Sequence, residues 1–134
     1  MISRKPVRDY LAAKISALPE LDGISVLKKR RIHIDEDIKQ FVNVYFIQAD
    51  VDITGSEEST SIANIEIRVN SCLPGDDDIL DNLADPITEM LDSTVNLNGL
   101  TENFRLIRWS YGDDEDSAFS FFSMIYRAQL VETL

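Results

Sequence analysis

Few side chains in this sequence are of the kinds that do chemistry. His33 is the only histidine and Cys72 the only cysteine in 134 residues. A nucleophilic thiol needs a base within hydrogen-bond reach, and no histidine stands near Cys72 in the sequence. Cys72 therefore reads as a small buried apolar residue. His33 has no second His or Cys at ligand spacing, so it reads as structural or exposed rather than as a zinc ligand. The glycines (Gly23, Gly55, Gly75, Gly99 and Gly112) each sit at a turn, and no phosphate loop or dinucleotide fingerprint is present. Twenty-four Asp and Glu residues could contain a glycosidase-type pair, but no spacing singles one out. These residues predict a protein that is not an enzyme.

Carboxylates are the one abundant chemical resource. Asp76-Asp77-Asp78 stands where a helix should begin, but it lacks the EF-hand pattern of glycine at loop position 6 and glutamate at position 12. Aspartates at an N-cap and in a first turn accept orphan amide hydrogens and complement the helix dipole, with the cap contributing about 0.5–2 kcal/mol. Capping is the preferred reading. Asp113-Asp114-Glu115-Asp116 suits a solvated hairpin turn that discourages edge-to-edge aggregation, and a divalent ion held between subunits is the rival. Asp77, Asp113 and Asp114 are thus the metal candidates, each behind a structural role. Lys28-Lys29-Arg30-Arg31 is the one basic run. Its plain reading is a solvated strand end. Its functional reading is an electrostatic match to an acidic surface of a neighbouring copy, with Glu57, Glu58 and residues 76–78 as the complement.

These residues need elements to hold them. Val7, Tyr10, Leu11, Ile15 and Leu18 recur at helical spacing after Pro6, which a first turn tolerates. Pro19 and Gly23 close that helix, predicted over residues 5–18. Residues 24–34, β-branched and basic, predict a strand. Residues 41–54 predict a longer one, apolar on both faces in its first half and alternating in its second. Residues 55–61 are polar throughout and read as a hairpin loop. Ala63, Ile65, Ile67 and Val69 alternate with polar partners as a half-buried strand, ended by Leu73-Pro74-Gly75. Ile79, Leu80, Leu83, Ala84, Ile87, Met90 and Leu91 make the clearest amphipathic helix, with Pro86 inside to kink or divide it. Residues 96–103 read as a loop, and residues 104–111 and 118–131 as strands of a hairpin. The order is α-β-β-β-α-β-β. It predicts an α+β fold, an antiparallel or mixed β-sheet built from hairpins with two helices packed on it. No repeat or linker interrupts it, so residues 1–134 read as a single domain.

Composition limits the partners. Hydrophobic residues are 44% and charged residues 28%, which excludes disorder for the bulk of the chain. Thirteen Lys and Arg against 24 Asp and Glu leave a net charge of −11, and a field of that sign opposes binding to nucleic-acid phosphates. One cysteine permits no internal disulfide and suits a reducing compartment. The opening residues lack the apolar stretch of a signal peptide, and no run approaches the roughly 20 apolar residues of a membrane span. A soluble, intracellular protein without a membrane partner is the expectation.

An N-terminal helix leads into a basic strand, then to Asp35-Glu36-Asp37 and Phe41-Val42-Asn43-Val44-Tyr45-Phe46. After a loop with Gly and Glu, Ala63-Asn64-Ile65-Glu66-Ile67 runs into Leu73-Pro74. An acidic helix with an internal proline follows. Last comes an aromatic hairpin with Trp109-Ser110-Tyr111-Gly112, an Asp-rich turn and a strand ending in Tyr126 and Glu132. With these runs in this order, the chain resembles the phage minor tail protein U family, the tail terminators of long-tailed lambda-like phages, over residues 5–132. The family's helix-leading acid falls on Asp77, and the first strand is more basic than in the lambda-type pattern.

The resemblance implies a structural protein. Members form a hexameric ring that caps the finished tail tube, stops its polymerisation and offers the surface to which the DNA-filled head attaches. The implied partners are further copies of the chain, the tail tube protein and a head-completion or connector protein, with DNA only passing through the lumen. The implied location is the virion tail, assembled in the host bacterial cytoplasm. No cofactor is implied, beyond a divalent cation such as magnesium assisting oligomerisation. Arg30, Arg31, Glu57, Glu58 and Asp77 are the residues expected at subunit or partner contacts. Three readings compete. One is another neck or head-completion protein. The second is an acidic DNA-mimic inhibitor, whose carboxylates should form a long unpaired stripe, whereas the acids of this chain are expected to cluster in turns and helix ends. The third is a small enzyme with a pocket holding two acids.

Overall fold

Helix α1 (Arg4–Ser16) buries Val7, Leu11, Ala12 and Ile15 on one stripe, and a 3₁₀ turn (Pro19–Leu21) adds the buried Leu21. Strands β1 (Ser25–Leu27), β2 (Gln40–Ile53) and β3 (Glu58–Ser71) follow, then helix α2 (Asp77–Asp92), β4 (Glu102–Asp113) and β5 (Ser120–Thr133). The computed structural model describes residues 4–29, 38–53, 58–73, 77–94, 96–114 and 117–133, excluding the side chains of residues 52, 53, 58, 59 and 131–133. The expected α+β fold is present, with the expected element order α-β-β-β-α-β-β.

The described strands join one sheet in the order β1-β2-β3-β5-β4, so β1 and β4 are its two margins among the described residues. β1 runs parallel to β2, and every other neighbouring pair is antiparallel, which makes the sheet mixed. Side chains alternate across a strand, and one face lies under both helices. That face carries Val42 and Val44, Ala63 to Val69 at alternate positions, Phe122, Met124, Tyr126, Ala128 and Leu130, and Phe104, all buried in one core. Helix α1 packs on β1 and β2, and α2 on β3, β5 and β4. The helix layer is therefore divided along the sheet, with α1 over the β1 side and α2 over the β4 side.

Four local expectations change. Residues 58–61, expected in the hairpin loop, belong to β3 and pair with β2 on one side and β5 on the other. Hydrogen bonding on both sides outweighs the low strand preference of a polar run. The basic strand is shorter than expected: β1 ends at Leu27, and Lys28 and Lys29 lie beyond it. Its continuation, with Arg30, Arg31 and His33, is outside the described residues, as are Asp35 to Asp37 and Glu57. Pro86 does not divide α2, which buries Leu80, Leu83 and Ala84 before it and Ile87 and Leu91 after it. The carbonyl deprived of its donor belongs to Asn82, an exposed residue within reach of solvent. Cys72 is half-buried rather than fully buried.

Bulges re-aim β4. Its register shifts between Leu106 and Arg108, which leaves Ile107 as an extra residue. Beyond it, Trp109 and Tyr111 lie opposite Met124 and Phe122, on the helix side of the sheet. Strict alternation from Leu106 would have sent both to the other face.

Candidate functional site

The bulge at Ile107 sets two aromatic rings beside helix α2. Trp109, Tyr111 and Phe122 pack at centroid distances of 4.8–5.9 Å. Yet Trp109 is 58% exposed and Tyr111 41%, on a strand with no neighbour on its outer side among the described residues. The opposite wall is acidic. Asp81, Asp85, Thr88 and Asp92 line, with Leu106, Trp109, Tyr111 and Phe122, a groove of about 340 Å³. The Tyr111 hydroxyl donates a 2.5 Å hydrogen bond to Asp81 Oδ1 and ties the two walls together. That bond, followed by partial burial and the charges of Asp81, Asp77 and Asp85, pushes the Tyr111 hydroxyl up to about 12. One wall of the groove is thus carboxylate and the other aromatic.

Helix α2 supplies that wall in an unusual way. Asp77, Asp81, Asp85 and Glu89 follow one another at intervals of four, and α2 has no basic residue in its last turn, where Asp92 sits. Like charges at i, i+4 destabilise a helix by about 0.2–0.5 kcal/mol per pair, and an acid at the C-terminus opposes the dipole. Contrary to the expectation that acids cluster in turns and helix ends, these carboxylates run along the helix.

The other margin has the opposite sign. Helix α1 carries Arg4, Lys5, Arg8 and Lys14 against one acid, Asp9, and Lys28 and Lys29 follow β1. Asp9 accepts from Lys28 at 2.6 Å and Lys5 at 2.9 Å, which holds its carboxyl down at about 2. Lys28 is thereby fixed to α1, whereas Arg4 and Lys29 have no carboxylate partner among the described residues.

The sheet face away from the helices mixes bonded polar side chains with apolar ones such as Phe41, Ile62 and Phe121. Arg68 lies 3.9 Å from the Phe121 ring centroid and donates to Glu66 at 2.8 Å. Asn70 donates to Asn43 Oδ1 and the Phe41 carbonyl. Arg105 and Arg127 stand directly opposite each other, and Arg127 donates to Asn64 Oδ1 at 3.3 Å.

The residues singled out in the sequence are scattered. Asp77 opens α2, exposed, beside a small cleft lined also by Ser71, Leu73, Ala118 and Ser120. Asp113 accepts from Ser120 at 2.7 Å, while Asp114 accepts from Ser117 at 3.0 Å and donates its N–H to the Phe119 carbonyl. Both therefore serve the β4–β5 turn. Among the described residues no three His, Cys, Asp or Glu side chains gather as a metal-holding group. Glu58 opens β3 opposite Thr133, and Arg30, Arg31 and Glu57 are outside the described residues. Sequence reasoning missed the groove itself. The signal was available in the four-residue spacing of Asp77, Asp81, Asp85 and Glu89, but the bulge that turns the aromatics toward them leaves no mark in the pattern.

Comparison with known proteins agrees with this architecture. A chain from the virion of a native gene transfer agent particle has the same fold, with a TM-score of 0.59 at 11% identity, covering 97% of this chain and 93% of that one. A second solved chain, 15% identical, covers 96% of this chain and 92% of that one at a TM-score of 0.48. No match is found among curated protein sequences. No helix of the described residues is long and apolar enough to cross a membrane. The model of the family Phage minor tail protein U matches residues 2–129, nearly the whole chain, so this protein belongs to that family and is a structural protein of phage tails.

Proposed function

We propose that the chain is a tail terminator: it closes into a ring, hexameric, on the end of the tail tube, stops further polymerisation and presents the surface for head attachment. The family match over residues 2–129 is the observation that carries this reading, because it takes in every element of the fold except the end of β5. The physical requirement supports it. A tube that grows by subunit addition stops when a layer of matching rotational symmetry covers its end, and head-to-tail contacts that close give such a layer. A net charge of −11 suits a passage through which DNA moves without sticking. The partners in this reading are other copies, the tail tube protein and a head-completion or connector protein, without a membrane. Assembly takes place in the host cytoplasm.

Asp77, Arg30, Arg31, Glu57 and Glu58 belong to the contact surface of this reading. No cofactor is required. A divalent cation such as magnesium enters only as an aid to oligomerisation, and within one chain Asp77, Asp113 and Asp114 do not build a chelate. Mass measured across protein concentration, with and without magnesium, tests the ring. A closed oligomer of six copies is expected; a monomer at every concentration, tube protein included, contradicts it. The carboxylate row on α2 favours one second reading, an acidic DNA mimic. A mimic would stay monomeric and capture a DNA-binding protein instead of the tube.

A further inference from the structure

The exposed aromatic groove between α2 and β4 needs an occupant, and the chemistry of the same chain supplies one. We propose that the α2–β4 margin of one copy receives the α1–β1 margin of a second copy, with Arg4 and Lys29 entering the groove of Asp81, Asp85, Asp92, Trp109 and Tyr111. The proposal rests on the ring reading above and names the surfaces that would join its subunits.

Four observations carry it. First, the two margins lie at opposite ends of the sheet order β1-β2-β3-β5-β4, and the helix layer is divided in the same sense. A contact between them is therefore head to tail, and each bound copy leaves one margin free for the next. Second, the charges oppose: four cations and one acid on α1, six acids and no cation on α2. Each helix also carries charge against its own dipole, with Arg4 opening α1 and Asp92 ending α2. Neither arrangement benefits the isolated subunit, and both are relieved when the margins meet.

Third, β4 has no strand on its outer side among the described residues and bears Ile107 at 39%, Trp109 at 58% and Tyr111 at 41% exposure. Exposed apolar surface on an edge strand marks a contact site. Fourth, the groove's make-up selects the occupant. Carboxylates beside aromatic faces take an ammonium or guanidinium, whose aliphatic stem covers the rings while the charge meets the acids. Arg4 and Lys29 are exposed at the other margin with no carboxylate partner among the described residues. The ion pair of Asp9 with Lys28 already binds the residue after β1 to α1, so that margin is built before it docks.

Two full-length variants test this. One is Asp85→Lys with Asp92→Lys, which reverses the groove; the other is Arg4→Glu with Lys29→Glu, which reverses the opposite margin. All four side chains are exposed. Circular dichroism melting establishes that each variant folds. Each alone should need about tenfold or more protein to assemble, because like charges then meet at every contact. An equimolar mixture should recover assembly, since the two reversed margins attract each other and so do the two native ones. Misfolding cannot produce that rescue. Variants that assemble like wild type, or a mixture that stays apart, overturn the proposal while the ring reading stands. Open chains of wild type, lost in each variant and restored in the mixture, support the margins and overturn the ring. A wild-type protein that never associates overturns both.

Discussion

The Tyr111 hydroxyl donates to Asp81 across 2.5 Å, and this bond joins strand β4 to helix α2 in the lining of the acidic groove. A phenolate there would face the carboxylates of Asp81, Asp77 and Asp85, so the hydroxyl holds its proton up to about 12. Asp81→Asn removes both the charge and the best acceptor. Spectrophotometric titration should then show one tyrosine moving down toward the ordinary value near 10. An unchanged titration curve would mean that the bond does not form in solution.

Asp9 gives the acid side of the pH dependence. Its carboxyl is held at about 2, below its ordinary 3.8, by Lys28 and Lys5. A depressed folded-state value contributes stability above the unfolded value and loses it as pH falls through the folded one. The melting temperature should therefore drop between about pH 4 and pH 2. In Asp9→Asn that part of the drop should be missing, with a lower plateau at neutral pH. A variant as acid-sensitive as wild type contradicts the assignment.

Gly112 lies opposite Phe121, and a Cβ at this position would run into the Phe121 ring on which Arg68 stacks. Gly112→Ala has to turn the tip of this half-buried ring aside and should cost about 1 kcal/mol, the low end of an overpacking penalty. Chemical denaturation measures it, and a loss below a few tenths would show that the ring swings away freely.

Tyr126 stacks on Phe104 at 4.7 Å in the core, yet its hydroxyl has no hydrogen-bond partner among the described residues. Burial, with Asp92 as the lesser cause, pushes that hydroxyl far above its ordinary value. Tyr126→Phe keeps the ring and removes an unsatisfied polar atom, so the protein should gain about 1 kcal/mol. A loss of similar size would reveal a partner, water included, that the hydroxyl depends on.

Much of this fold is legible in the sequence because burial imposes a period. Val7, Leu11 and Ile15 mark α1, Leu80 to Leu91 mark α2, and the alternation of Ala63 to Val69 marks the central strand. What escapes are features set by neighbours. Glu58 to Ser61 look like a loop until β2 and β5 pair with them from both sides. Pro86 looks like a break until the packing on either side of it holds the helix together. The groove escapes for a third reason. Asp81 and Tyr111 are 30 residues apart, and a one-residue bulge at Ile107 decides which face Tyr111 takes. The basic run was legible as a chemical feature, but the structure adds that its described part, Lys28 and Lys29, stands at the margin opposite the acids.

Termination of the tail tube is the central claim, and tube length tests it most directly. Tail tube protein polymerised in the presence of this protein should give tubes that stop growing, with a ring visible by electron microscopy at one end and lengths that shorten as the ratio of this protein rises. Tubes of unchanged length and growth rate, with bare ends at every ratio, would contradict the account.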